Sequence, residues 1–132
     1  MDPNIESQIS DQLAALHGHW YGKSPAAART YIAGDDAVVV VLEETFTLAE
    51  QLLVDRGEAG GVQEIRRRFR RIMADEFGSI VEQATGRRVR SYIADTDLVE
   101  NVSVEVFLLG ASLEDMSDYE QEGKTAGPGG SG

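Results

Sequence analysis

Hydrophobic and polar positions follow two periods along this chain, and the changes of period mark its elements. Ile5, Ile9, Leu13 and Leu16 line one face of a short helix. Asp2-Pro3 supplies an N-cap and a first-turn proline for it, and Gly18 is expected to end it. A helix this short is marginal alone and must dock on a core. His17 to Pro25 reads as a turn-rich linker, with Pro25 holding Ser24 extended. Arg29 to Ala33 and Ala37 to Glu43 then read as strands, with Gly34-Asp35-Asp36 as their hairpin turn. The second strand is an uninterrupted apolar run through Leu42, which predicts burial on both faces. One face can take a long helix; the other needs the N-terminal helix or a second subunit.

Thr47 and Glu50 have capping-box spacing, so a short helix is expected through Val54 with Leu48, Leu52 and Leu53 on its buried side. Arg56 to Gly61 is a connector. The stretch that organises the chain follows, between Gly61 and Gly86. Val62, Ile65, Phe69, Ile72, Met73, Phe77, Ile80, Val81 and Ala84 recur at three- and four-residue steps, one face of an amphipathic helix about six turns long. Gly60 and Gly61 are expected to break the chain before it, and Gly86 to cap it in a left-handed conformation. The opposite face carries Glu64, Arg67, Arg68, Arg71, Asp75 and Glu82.

Arg87 to Ala94 and Val102 to Leu109 read as a second pair of strands. In the latter, Val102, Val104, Val106 and Leu108 share one face and Ser103, Glu105, Phe107 and Leu109 the other. That second face is half apolar, which hints at a sheet covered on both sides. From Ala111 the periodicity stops and the chain becomes acidic, then glycine-rich. The fold class expected is α+β: a four-stranded antiparallel sheet of two hairpins, a long central amphipathic helix between them, and a short N-terminal helix. The organisation is an N-terminal helix over 1–19, an α+β domain over 20–110, and a disordered tail over 111–132, native or in part an expression scar.

Length and composition narrow the function. A chain of 132 residues is one domain's worth. Its net charge of −11 argues against nucleic acid and against anionic lipid surfaces. There is no cysteine, so disulfides and thiolate metal sites are excluded. The first residues lack a basic and apolar leader pattern, and no apolar run approaches the ~20 residues of a spanning helix. The expectation is a cytoplasmic protein with no direct membrane insertion.

The chemistry on offer is thin. His17 and His19, two apart, do not share a helix face and lack a third ligand, so turn residues packing beside Trp20 and Tyr21 are the better reading than zinc. Gly22-Lys23-Ser24 resembles the end of a phosphate loop, but the required earlier glycine position holds His17 and Pro25 follows at once. Asp95, Asp97 and Glu100 lack the central glycine of a calcium loop and read as a solvated turn. Asn101-Val102-Ser103 matches a glycosylation acceptor at a strand start, a chance match. No serine elbow and no histidine with an acidic partner points to catalysis, so no enzyme activity, cofactor or metal is expected. Arg66, Arg67, Arg68, Arg70 and Arg71 crowd one stretch. In so acidic a chain they read as a solvated face or as partners of local carboxylates rather than as a nucleic-acid interface.

The order of segments carries a further indication. Tyr21-Gly-Lys-Ser-Pro25, Arg29-Thr-Tyr-Ile32, Asp35-Asp36 and Val38 to Leu42 are followed by Leu48, Glu50 and Leu53, then Ile65-Arg66-Arg67 with Phe69. Phe77, Val81-Glu82, Thr85-Gly-Arg-Arg-Val89 and Val104-Glu-Val-Phe107 complete the series. Together, over about Trp20 to Leu109, these resemble the small bacterial family named for MpsC, the soluble member of a sodium-translocating, membrane-potential-generating system. Members commonly carry Gly-Arg-Gly-Pro where this chain has Gly22-Lys23-Ser24-Pro25. The resemblance implies an accessory or regulatory role beside membrane components on other chains, and it carries over no catalytic residue.

Two expectations follow. One is a non-enzymatic interaction module, a homodimer whose surface includes strand residues and the N-terminal helix, with membrane ion-transport subunits as further partners. The other is a small-molecule or anion-binding protein whose pocket is lined by Gly22, Lys23, Pro25, Arg29, Arg66, Arg67 and Arg70, arginine offering a rigid fork of donors.

Overall fold

The computed structural model describes residues 4–115. The expected Asp2-Pro3 cap and residues 116–132 of the expected tail lie outside the described residues. The order is α1 (Asn4–Tyr21), β1 (Ala27–Ala33), β2 (Ala37–Glu43), α2 (Leu48–Asp55), α3 (Ala59–Thr85), β3 (Arg87–Asp97) and β4 (Val102–Ser112). The four strands form one antiparallel sheet in the order β1-β2-β4-β3, so the two hairpins join through their second strands.

The helix boundaries differ from expectation at the glycines. Helix α1 runs straight through Gly18 and ends at Tyr21; the residue that stops it is Gly22, at φ +79°, whose N–H bonds the Gly18 carbonyl at 2.9 Å. Gly18 is a notch, not a terminator. A Cβ built on it would sit 2.5 Å from Ser24 Oγ and 3.2 Å from Ser24 Cα. The returning 22–25 turn therefore packs on the helix where no side chain stands. Residues 17–21, expected as linker, are helical, and the domain boundary expected at 19/20 falls inside α1. Gly60 and Gly61 likewise lie within the first turn of α3, where free N–H groups make a weak helix former cheap. The break is Gly57, at φ +81°. Gly86, at φ +71°, caps α3 as expected, and Thr47 and Glu50 close the expected capping box.

Both long helices lie on one face of the sheet, α1 over β1 and α3 over β3, touching each other. The core between them and the sheet gathers Ile9, Leu13, Val38, Val40, Leu42, Met73, Phe77, Val81, Phe107 and Leu109. Two expected core stripes are shifted. On α2, Leu48 and Leu52 are exposed and only Leu53 and Val54 are half-buried; this helix docks chiefly through Glu50. On α3, Ile65 and Ile72 are exposed, and Arg66 and Gly78 take buried places among the apolar residues. Strand β2 alternates after all, with Val38, Val40 and Leu42 fully buried and Val39 and Val41 half-buried. Strands β3 and β4 each run three residues past their expected ends, and β4 continues to Ser112, beyond the expected start of the tail.

Candidate functional site

The helix-facing side of β4 is the half-polar one: Ser103, Glu105, Phe107 and Leu109 are buried. Two polar residues stand there because two arginines of α3 need acceptors. Arg66 is 1% exposed. Its Nε donates to Glu50 Oε2 at 2.7 Å and its Nη2 to Glu50 Oε1 at 2.8 Å and to the Thr45 carbonyl at 2.9 Å. Its Nη1 donates to Thr45 Oγ1 at 3.0 Å and to Ser103 Oγ at 3.4 Å. The guanidinium lies 4.8 Å from the Tyr21 ring centre and 5.4 Å from that of Phe46, so cation–π attraction adds to the hydrogen bonds. A buried charge is tolerable only when paired and hydrogen-bonded in this way. Burial alone pushes the Glu50 carboxyl up, but the bonds from Arg66 and Thr47 outweigh it and hold the group below the usual carboxylate range.

Beside this cluster, His17 is buried and stacks on Tyr21 at 4.3 Å. Burial, helped by the Arg66 charge, lowers its pKa from 6.5 to about 4. Asn101, at φ +56° in the β3–β4 turn, accepts from the Thr45 and Phe46 N–H groups at 2.8 and 3.0 Å and so fixes the loop that feeds Arg66. Its side chain is committed to folding. An asparagine in a hairpin turn, tolerant of the left-handed region, was the sequence signal for it.

Arg70 takes the second acceptor. Its Nη2 donates to Thr96 Oγ1 at 2.5 Å, and its Nε lies 3.6 Å from Glu105 Oε2, an ion pair too long for a hydrogen bond. Tyr92 donates to Glu105 Oε1 at 3.2 Å. Burial pushes the Glu105 carboxyl above the usual range, against the opposing pull of Arg70. Outside this pair Arg67, Arg70, Arg71, Ala74, Tyr92 and Ala94 line an open cleft of about 480 Å³ between α3 and β3.

The residues expected to share one pocket fall into separate places, with Gly22, Lys23 and Pro25 in the turn beside Phe46, whose ring the Arg66 guanidinium faces. Gly22 ends α1, and Lys23 donates from Nζ to the Phe46 carbonyl at 3.0 Å. Pro25 is half-buried just before β1. Arg29 stands on the far side of the sheet, 3.3 Å from Glu43. Arg66 is in the core, and Arg67 and Arg70 flank the α3–β3 cleft. The cleft itself unites only the last two.

A second surface is the sheet face away from α1 and α3. Tyr31, Val39, Val106 and Ile93 are paired in register across the four strands and share that face. Tyr31 is 52% exposed, Ile93 61% and Val104 36%. One apolar row thus crosses all four strands, with Arg29 and Asp95 at the two ends of the row beside it. Among the described residues no helix is long and apolar enough to cross a membrane.

The family described as "Na+-translocating membrane potential-generating system (MpsC)" matches this chain over residues 2–111, which adds α1 to the span of the resemblance read from the sequence. No curated protein and no solved structure gives a match.

Proposed function

Because the chain belongs to the MpsC family, we propose that it is a non-enzymatic accessory module of a membrane cation-translocating assembly, working from the cytoplasm as a homodimer. The observation that carries this reading is the uncovered apolar sheet face bearing Tyr31, Val39, Val104, Val106 and Ile93. Leaving it wet forfeits roughly 25 cal/mol for each Å² that a partner would bury. Helix α1 packs on the opposite side, so the dimer surface consists of strand residues without the N-terminal helix. The exposed Leu48, Leu52, Ile65 and Ile72 on α2 and α3 remain free for a membrane subunit. The test is purification of the tagged protein from its host after gentle crosslinking, with membranes retained. Co-recovery of a membrane ion-transport subunit is expected, and recovery of the protein alone would sink the accessory role.

A second reading is favoured by the α3–β3 cleft. Arg67 and Arg71 are exposed at its walls and Tyr92 lies in it, an arrangement suited to a small carboxylate or phosphate. Thermal stabilisation by such anions, lost on Arg67→Ala with Arg71→Ala, is its expected outcome.

A further inference from the structure

We infer that the occupant of the open sheet face is a second copy of this chain, laid sheet on sheet about a twofold axis that runs parallel to the strands between β2 and β4. The inference rests on the homodimer reading above and adds its geometry. Strand register sets the open face in rows. One row is Tyr31, Val39, Val106 and Ile93; the next is Arg29, Val41, Val104 and Asp95. Both are apolar at the two central strands. The second ends in a base on the β1 edge and an acid on the β3 edge.

A twofold parallel to the strands exchanges β1 with β3 and β2 with β4 and keeps each row level. It therefore sets Tyr31 against Ile93 of the second copy, Val39 against its Val106, Val41 against its Val104, and Arg29 against its Asp95. The other end of the face behaves in the same way. The Asp35-Asp36 turn is level with the start of β3, since Leu109 N–H bonds the Asp36 carbonyl and Arg87 reaches the Asp35 carbonyl. On β3, the Arg88 guanidinium lies over Gly110, 3.6 Å from where a Cβ would project. The axis thus brings the acidic turn of each copy over Arg88 and Arg90 of the other. A twofold across the strands would instead set Arg29 against Ala33. Two opposite-charge contacts flanking an apolar centre favour the first axis, and face-to-face sheets pack in this aligned fashion, about 30° apart.

Within one copy Arg29 holds Glu43 at 3.3 Å, and Asp95 accepts from Gln63 at 3.1 Å. Both contacts are exposed and cost little to exchange.

Sedimentation of the full chain across micromolar concentrations, with Arg29→Asp, Asp95→Arg and the double variant, tests the inference. Each single charge reversal is expected to weaken the dimer by about tenfold or more, and the double reversal to restore it. Far-UV circular dichroism checks that each variant folds. A protein that stays monomeric throughout overturns this inference and the homodimer reading together. A dimer indifferent to the single reversals, or not restored by the double, overturns the geometry alone. The chain has no cysteine, so mixing Tyr31→Cys with Ile93→Cys chains gives a second readout. The mixed disulfide is expected; crosslinks of Tyr31→Cys only to itself would place the axis across the strands and overturn the proposal.

Discussion

Arg66 and Glu50 meet in a two-pronged ion pair, at 2.7 and 2.8 Å, between α3 and α2. The pair lies inside the protein, with the arginine 1% and the glutamate 12% exposed. It ties α2 to α3, while Leu48 and Leu52 of α2 stay exposed.

Arg66→Ala takes the charged partner from the Glu50 carboxylate and the guanidinium donor from the Thr45 carbonyl. Loss of one partner from a buried pair costs about 3–5 kcal/mol, and urea denaturation should register it. Arg66→Lys is expected to recover less than half of that loss. A lysine ammonium cannot span two carboxylate oxygens and a carbonyl in one plane. A lysine variant as stable as the wild type would show that charge, not the fork, is what matters.

Acid sensitivity should begin near the ordinary histidine range. His17, lowered from 6.5 to about 4, stays neutral in the folded state while the unfolded chain takes up a proton. The His17 contribution to stability is therefore full above pH 6.5 and falls as the pH drops toward 4, by about 3 kcal/mol. His17→Phe keeps a ring against Tyr21 and should flatten that part of the profile. Below it, wild type and variant alike lose the Glu50 contribution, because its depressed carboxyl protonates last.

Glu105 has the opposite sign. Its raised folded-state pKa means the native protein holds a proton that the unfolded chain has lost, so stability falls as the pH rises above the usual carboxylate range. Glu105→Gln cannot titrate. Measured against the wild type by denaturant melts from pH 4 to 7, it should gain relative stability as the pH rises.

The glycines divide by environment. Gly60→Ala and Gly61→Ala meet nothing within 4 Å and should each stabilise by about 0.4 kcal/mol, chiefly through a less free unfolded chain. Gly18→Ala, also helical, should destabilise, because its methyl would stand 2.5 Å from Ser24 Oγ. A rise in melting temperature for all three would show that Ser24 does not need the space at Gly18.

Local pattern determined much of this protein. The period of the apolar residues set the order of helices and strands and both hairpins, and the left-handed demand at Gly86 and the reciprocal bonds of Thr47 and Glu50 marked two helix ends. These are properties of a few neighbouring residues, so the order of residues suffices. The segment series likewise pointed to the family. The tertiary structure decided what depends on residues far apart. Gly18 and Gly22 look alike in sequence, and only the returning Ser24 makes one a notch and the other a stop. In sequence Arg66 reads as one of five crowded cations, on a solvated face or beside a local carboxylate; burial was open to it because Glu50, Thr45 and Ser103, 16, 21 and 37 residues away, converge on it. For the same reason the half-polar face of β4 went inward and its valine face outward. Hydrophobicity alone ranks those faces the other way, and the need of buried arginines for acceptors reversed the order.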